Sequence, residues 1–173
     1  FTVPAWQQSH AAHSNAKPSC RHVLLLSDAS GCGLTTTLEQ CGVSVTRVGR
    51  GDRYARHDDG SFTIRPAVKA DFLELIGELN GLEVPVDRVV CLWEYGAVDS
   101  DLAAADAFEA AFMPTLLLVQ SFIEAKLAEP PNLLLVTSGF ASVVPEDEII
   151  AARAALQGAV LTLPVEFPGL QVS

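Results

Sequence analysis

The sequence predicts an α/β fold in which a parallel sheet carries helices on both faces. Three observations lead there. Short apolar runs at residues 22–26, 43–48, 88–93 and 133–136 read as buried strands, segments of helical apolar spacing lie between them, and Gly, Pro or Asn stands at the joints. Strands alternating with helices return by crossovers, which makes neighbouring strands parallel and buries both faces. One domain is expected over residues 20–173, preceded by an incoming strand and linker at residues 1–19.

Residues 1–6, with Pro4 against a helix, suit a short extended segment, and the small polar stretch up to Pro18 reads as a linker. The run from His22 to Leu26, the Gly31-Cys32-Gly33 turn, a helical segment, a break at Cys41-Gly42 and the run from Val43 to Val48 make a strand-turn-helix-strand unit. Residues 51–65 resemble a hairpin around Asp59-Gly60, with Phe62 and Ile64 on one face. Phe72, Leu75, Ile76 and Leu79 keep helical spacing, and Asn80-Gly81 should end that helix. After the strand at 88–93, Ser100 or Asp101 is expected to cap a helix reaching about Leu127, kinked at Pro114 and stopped by Glu129-Pro130-Pro131. The strand at 133–136 follows, then a helix over 148–163, a turn from Pro164 to Gly169 and a fifth strand at Leu170.

The net charge of −10 makes nucleic acid and anionic membrane surfaces poor partners. Half the residues are apolar (49%), enough for a core in a chain of 173 without staples. Cys20, Cys32, Cys41 and Cys91 form no C-x-x-C pair, and Cys91 reads as a small buried hydrophobe. His10 and His13 sit in a polar leader, so no metal site is expected. With no signal segment and apolar runs too short to span a bilayer, a reduced, cytoplasmic protein is the expectation. The start without Met and the finish at 169–173 in mid-strand predict a piece of a larger polypeptide.

The first turn is where a dinucleotide pyrophosphate would meet the N-terminus of a helix. Only Gly31-x-Gly33 of the G-x-G-x-x-G spacing is present, Thr36 holds the third glycine's place, and Asp28 puts a carboxylate where a pyrophosphate needs N–H donors. The turn therefore reads either as a degraded nucleotide site or as a plain chain reversal. Gly49-Arg50 at the end of the second strand offers Arg50 as a weak candidate for a cofactor 2′-phosphate, the alternative being a solvated loop residue.

Two pieces of the chain resemble the short-chain dehydrogenase/reductase family. Residues 23–38 look like its first strand, glycine turn and helix, although the turn is one residue short and Asp28 replaces its first glycine. Residues 133–173 look like its fifth strand, catalytic helix and sixth strand. Ser138 matches the family's catalytic serine, while aligning Ala154-Ala155-Leu156 with the family motif puts Ile149 at the tyrosine and Arg153 at the lysine. No Tyr-x-x-x-Lys occurs, since Tyr54 leads to Asp58 and Tyr95 to Asp99. In the family that tyrosine gives the proton as hydride arrives and the lysine lowers its pKa. Isoleucine has no proton to give.

A narrower resemblance spans about 160 residues. Val3-Pro4-x-Trp6, the degenerate turn, Gly51-Asp-Arg-Tyr-Ala-Arg56, Asp59-Gly-Ser-Phe-Thr-Ile-Arg-Pro66, Arg88-Val-Val-Cys-Leu-Trp93, Ala128-Glu-Pro-Pro131 and Leu135-Val-Thr137 are similar, in order, to the structural subdomain of ketoreductases in modular type I polyketide synthases. The resemblance implies a Rossmann-like, truncated short-chain-reductase half that has no catalytic residues and binds no cofactor. It would support a second half that binds NADPH and reduces β-ketoacyl chains on an acyl carrier protein, within a multienzyme of neighbouring synthase domains. On that reading Gly31 and Gly33 serve the turn, Asp28 rejects pyrophosphate, and Phe1 and Trp6 contact the second half. Helices at 102–127 and 148–163 are fuller than a minimal half needs, which keeps a free-standing or degenerate NADP-binding short-chain reductase as one alternative. Another is a ligand- or protein-binding module using the crevice near Gly31, Trp93, Glu94 and Ser138.

Overall fold

A computed structural model describes residues 20–28, 33–96, 104–127, 129–142 and 147–173. In chain order the elements are β1 (His22–Leu26), α1 (Gly33–Gln40), β2 (Ser44–Arg50), β3 (Ala55–Arg56), β4 (Phe62–Ile64), α2 (Lys69–Asn80), β5 (Arg88–Cys91), α3 (Ala104–Glu124), β6 (Asn132–Leu135) and α4 (Ala151–Glu166). They form one six-stranded sheet in the order β3-β4-β2-β1-β5-β6. Every pairing is parallel except β3 with β4. The chain moves outward from β1 through β2 to β4, then resumes on the other side of β1 with β5. The strand order therefore reverses between β1 and β5, and a crevice opens there beyond the strands' carboxyl ends.

The pleat divides the apolar residues between two layers. Val23 and Leu25 of β1 face α1 with Val43, Val90, Leu34 and Leu38. Leu24 and Leu26 face the other way and join Phe72, Leu75, Leu118, Phe122 and Leu163 of α2, α3 and α4. Among the described residues helices thus cover both faces, one on the first and three on the second, as the alternation predicts. At the amino ends of the strands the buried His22 ring spans the Val84 carbonyl and the Thr46 hydroxyl, each at 2.9 Å. A second tie joins β4 to α2. Arg65 grips the buried Asp71 carboxylate through Nη2 at 2.6 Å and Nε at 3.0 Å, while its backbone N–H donates at 2.9 Å.

Several expectations are corrected. The hairpin does turn at Asp59-Gly60, with Gly60 at φ +77, and buries Phe62 and Ile64. It is also part of the sheet, since β4 pairs with β2. Helix α2 does end at Asn80 with Gly81 as its cap, as read, and Gly81 keeps a helical φ of −83. The strand at 88–93 stops at Cys91. Helix α3 contains Pro114 and ends at Glu124, short of Leu127. Pro164 lies inside α4, and the turn comes after Glu166. The fifth strand shrinks to a parallel bridge, Leu133 with Val172, flanked by bonds from Leu133 N–H to the Gln171 carbonyl and from Ser173 N–H to the Leu133 carbonyl. By length and composition Ala105–Glu124 is apolar enough to cross a membrane, contrary to the sequence expectation, but Ala111, Leu117, Leu118, Val119 and Phe122 of this helix are buried in the fold. The incoming strand with Phe1 and Trp6, the cap candidates Ser100 and Asp101, and the turn residue Gly31 lie outside the described residues.

Candidate functional site

The crevice beyond β1, β2, β5 and β6 gathers most of the residues singled out in the sequence. Ser27 extends the β1 ladder by donating its N–H to the Val48 carbonyl, and Asp28 then turns out beside the last residue of β2, Arg50. The Arg50 backbone N–H donates to Asp28 Oδ1 at 3.1 Å and its Nε to Oδ2 at 2.7 Å, with Nη2 on the same oxygen. The guanidinium lies 5.9 Å from the Trp93 ring centroid, its Nη2 reaches the Trp93 carbonyl at 3.4 Å, and its Nη1 is 3.7 Å from Glu94 Oε1. On the other side of Glu94, Oε2 lies 3.3 Å from Arg153 Nε. Arg153 Nη1 donates to Ser138 Oγ at 2.8 Å, to the Gly96 carbonyl at 2.9 Å and to the Ser138 carbonyl at 3.2 Å. Ser138 Oγ also exchanges bonds with the Gly96 N–H and carbonyl, both at 3.2 Å.

Local sequence explains the arrangement. Arg153 shares the buried stripe of α4 with Leu156, Ala159 and Leu163, so packing carries its guanidinium inward; its side chain is 5% exposed. Gly139, at φ +67, lets the chain leave β6 and meet α4: its carbonyl accepts the Ile150 N–H at 2.7 Å, and a Cβ there would lie 2.7 Å from the Ile150 side chain. Burial pushes the Glu94 carboxyl above its ordinary value, while Arg153 and then Arg50 pull it back. Taking a carboxylate from water disfavours its charged form, and neighbouring cations restore it. Burial likewise pushes the Cys91 thiol up to about 12, which suits an inert core residue.

Arg50 ends β2, where the sequence places it, and although exposed its guanidinium is shared among Asp28, Trp93 and Glu94. Gly33 is the first residue of α1, and a Cβ there would meet nothing within 4 Å, so space alone does not demand glycine. Ile149, at the family's tyrosine position, is 54% exposed just ahead of α4. Sequence reading named Glu94 only as a crevice liner and took Arg153 as a lysine substitute; their pairing was missed. The available signal was an arginine in phase with the apolar stripe of AARAALQGAVL. Among the described residues no group of three His, Cys, Asp or Glu side chains could hold a metal. A polar hollow of about 530 Å³ adjoins Asp28, Arg47, Arg50 and His57, and an apolar one of about 460 Å³ lies beside α4, lined by Val136, Phe140, Leu156 and Leu161.

The sheet order and the helices on both of its faces define a Rossmann-like α/β fold. Residues 22–171 match the family described as beta-ketoacyl synthase-like, N-terminal, and the chain belongs to that family. Among solved structures it is similar to the adenylation, ketoreductase and pseudo Asub multidomain structure of a keto acid-selecting NRPS module, at 20% identity and a TM-score of 0.79, over 98% of this chain and 14% of that one. An N-terminal ketoreductase from the macrolactin assembly line is similar at 16% identity and a TM-score of 0.71, over 91% of this chain and 31% of that one. Thermoplasma acidophilum aldohexose dehydrogenase gives 14% and 0.59, over 87% and 63%. No curated protein sequence matches the chain. The chain spans under a third of the assembly-line chains it resembles, and the expected likeness to ketoreductases and short-chain reductases is met in fold.

Proposed function

We propose that this chain is a non-catalytic structural subdomain supporting the catalytic half of a polyketide synthase ketoreductase. That half would bind NADPH and reduce β-ketoacyl chains carried on acyl carrier protein, in a cytoplasmic multienzyme. One observation carries the reading: at the three positions matching the family's serine, tyrosine and lysine stand Ser138, Ile149 and Arg153, and the first and last are bonded to each other. Proton donation to a carbonyl needs an acidic group at the reacting oxygen. Ile149 supplies none, and Arg153 is engaged with Glu94, Gly96 and Ser138. At the other end of the crevice the Asp28 carboxylate, held by Arg50, presents negative charge where a pyrophosphate would lie, and Arg50 is not free for a 2′-phosphate.

The test is a titration of the purified chain with NADPH to millimolar concentration, followed by heat and by nicotinamide fluorescence. The expected result is no saturable binding. Saturable binding would overturn the scaffold reading in favour of a degenerate NADP-binding reductase.

A further inference from the structure

The charged groups in the crevice alternate in sign along one chain of contacts, Asp28 to Arg50 to Glu94 to Arg153. Asp28 follows β1, Arg50 ends β2, Glu94 follows β5, and Arg153 at the start of α4 reaches Ser138 after β6. Each arginine bridges two of these groups, and Glu94 is shared between them. We infer that Asp28, Arg50, Glu94, Arg153 and Ser138 form one ion-pair strap, lying where a dinucleotide would cross the sheet and tying the turns after β1, β5 and β6 to the start of α4. The inference rests on the scaffold reading and adds to it how the crevice is held without a cofactor.

Two features separate this strap from chance surface pairing. The inner pair is largely desolvated, with side chains 5% exposed at Arg153 and 16% at Glu94. A guanidinium brought out of water in this way is tolerated when its donors are satisfied, and Arg153 Nη1 finds oxygens of both Ser138 and Gly96. The second feature is that backbone geometry is arranged around the pair. Ser138 N–H donates to the Glu94 carbonyl at 3.3 Å, so the turns after β5 and β6 are joined by main chain beside the ion pair. The outer pair, Asp28 with Arg50, is a third or more exposed on both partners and is the weaker link.

A strap of this kind predicts coupling. Arg153→Met leaves Glu94 buried without its cation, and the melting temperature of the full chain should fall by about 5–10 °C. Glu94→Gln combined with Arg153→Met removes both charges and should recover about half of that fall. Amide exchange over residues 92–96 and 137–142 should rise about tenfold or more in Arg153→Met while α2 keeps its protection. If the losses of Arg153→Met and of Glu94→Gln, measured singly, add without coupling in the double variant, or if Arg153→Met changes neither melting nor local exchange, the strap is overturned. Should Arg153→Met fail to fold, the double variant decides: a folded double variant supports the strap, and an unfolded one means that Arg153 acts by packing alone. Measuring NADPH binding by the wild-type chain separates the two proposals, because binding would remove the scaffold reading, whereas loss of coupling would remove only the strap.

Discussion

Asp71 is 2% exposed and carries a full set of donors from one residue, Arg65, whose guanidinium and backbone N–H all point at it. A carboxylate in this position joins the end of β4 to the first turn of α2, where negative charge also complements the helix N-terminus. Hydrogen bonding from Arg65 holds its carboxyl below the ordinary range, against the opposing effect of burial. A depressed carboxyl contributes stability that is present above its unfolded pKa of about 3.9 and is lost as pH falls toward the folded value. Arg65 is 46% exposed, so water weakens its attraction, and Asp71→Asn should cost about 1–3 kcal/mol at neutral pH. Thermal melts of wild type and Asp71→Asn from pH 7 to pH 3 check this: the gap between them should narrow below about pH 4. A constant gap would mean that the carboxylate charge is not what holds the two elements together. Glu94 lies on the opposite side of the same linkage, because its raised carboxyl contributes stability that is lost as pH rises through the folded value.

At the scale of elements, Gly139 decides how α4 joins the sheet. Its φ of +67 is a conformation that side chains disfavour, and a Cβ would meet Ile150 Cδ1 at 2.7 Å and the Glu148 carbonyl at 3.2 Å. Gly139→Ala should lower stability by about 1–3 kcal/mol, with Ile150→Val returning only the share due to the side-chain clash. Denaturant melts of the two single variants and the double variant read this directly, and additive losses would place the strain in the backbone alone. How much of this was legible beforehand depended on the range of the interaction. The apolar stripe Phe72, Leu75, Ile76 and Leu79 and the alternation of Phe62 and Ile64 are local periodicities, and both elements formed as read. Pairing of β4 with β2 is decided by register between distant residues, and a two-residue period is the same for a free hairpin as for one joined to a sheet. Pro164 reads locally as a stop because it lacks an N–H and crowds the preceding turn. Here α4 packs Ala159 and Leu163 into the core with α3, and the helix continues through Glu166. At the crevice, Asp28, Arg50 and Ser138 were visible as positions in a family pattern. The ion pair between Glu94 and Arg153 was not, since 59 residues separate its partners and only the fold brings them together.

For the whole molecule the uneven distribution of charge matters more than its sum. The chain carries a net −10, yet in the sixteen residues of α4 the only charged side chains are Arg153, which is buried, and Glu166 at the end. Leu161 and Val165 lie four residues apart on the helix and are 68% and 77% exposed. Phe140 is 37% exposed beside the apolar hollow that Leu161 also lines. Scattered exposed apolar residues are ordinary, but a connected uncharged face is the kind of surface that collects dye or self-associates in an isolated chain. The pair Leu161→Gln and Val165→Gln should therefore reduce the fluorescence of a bound hydrophobic dye about twofold or more. Because both side chains already face water, melting should change by no more than about 2 °C. An unchanged dye signal with unchanged melting would locate the accessible apolar surface elsewhere. A large loss of melting temperature would show instead that these side chains pack within the chain. The expected result, less dye at equal stability, would mean that this face is not needed for the fold of the chain itself, as a subdomain that packs against a second half requires.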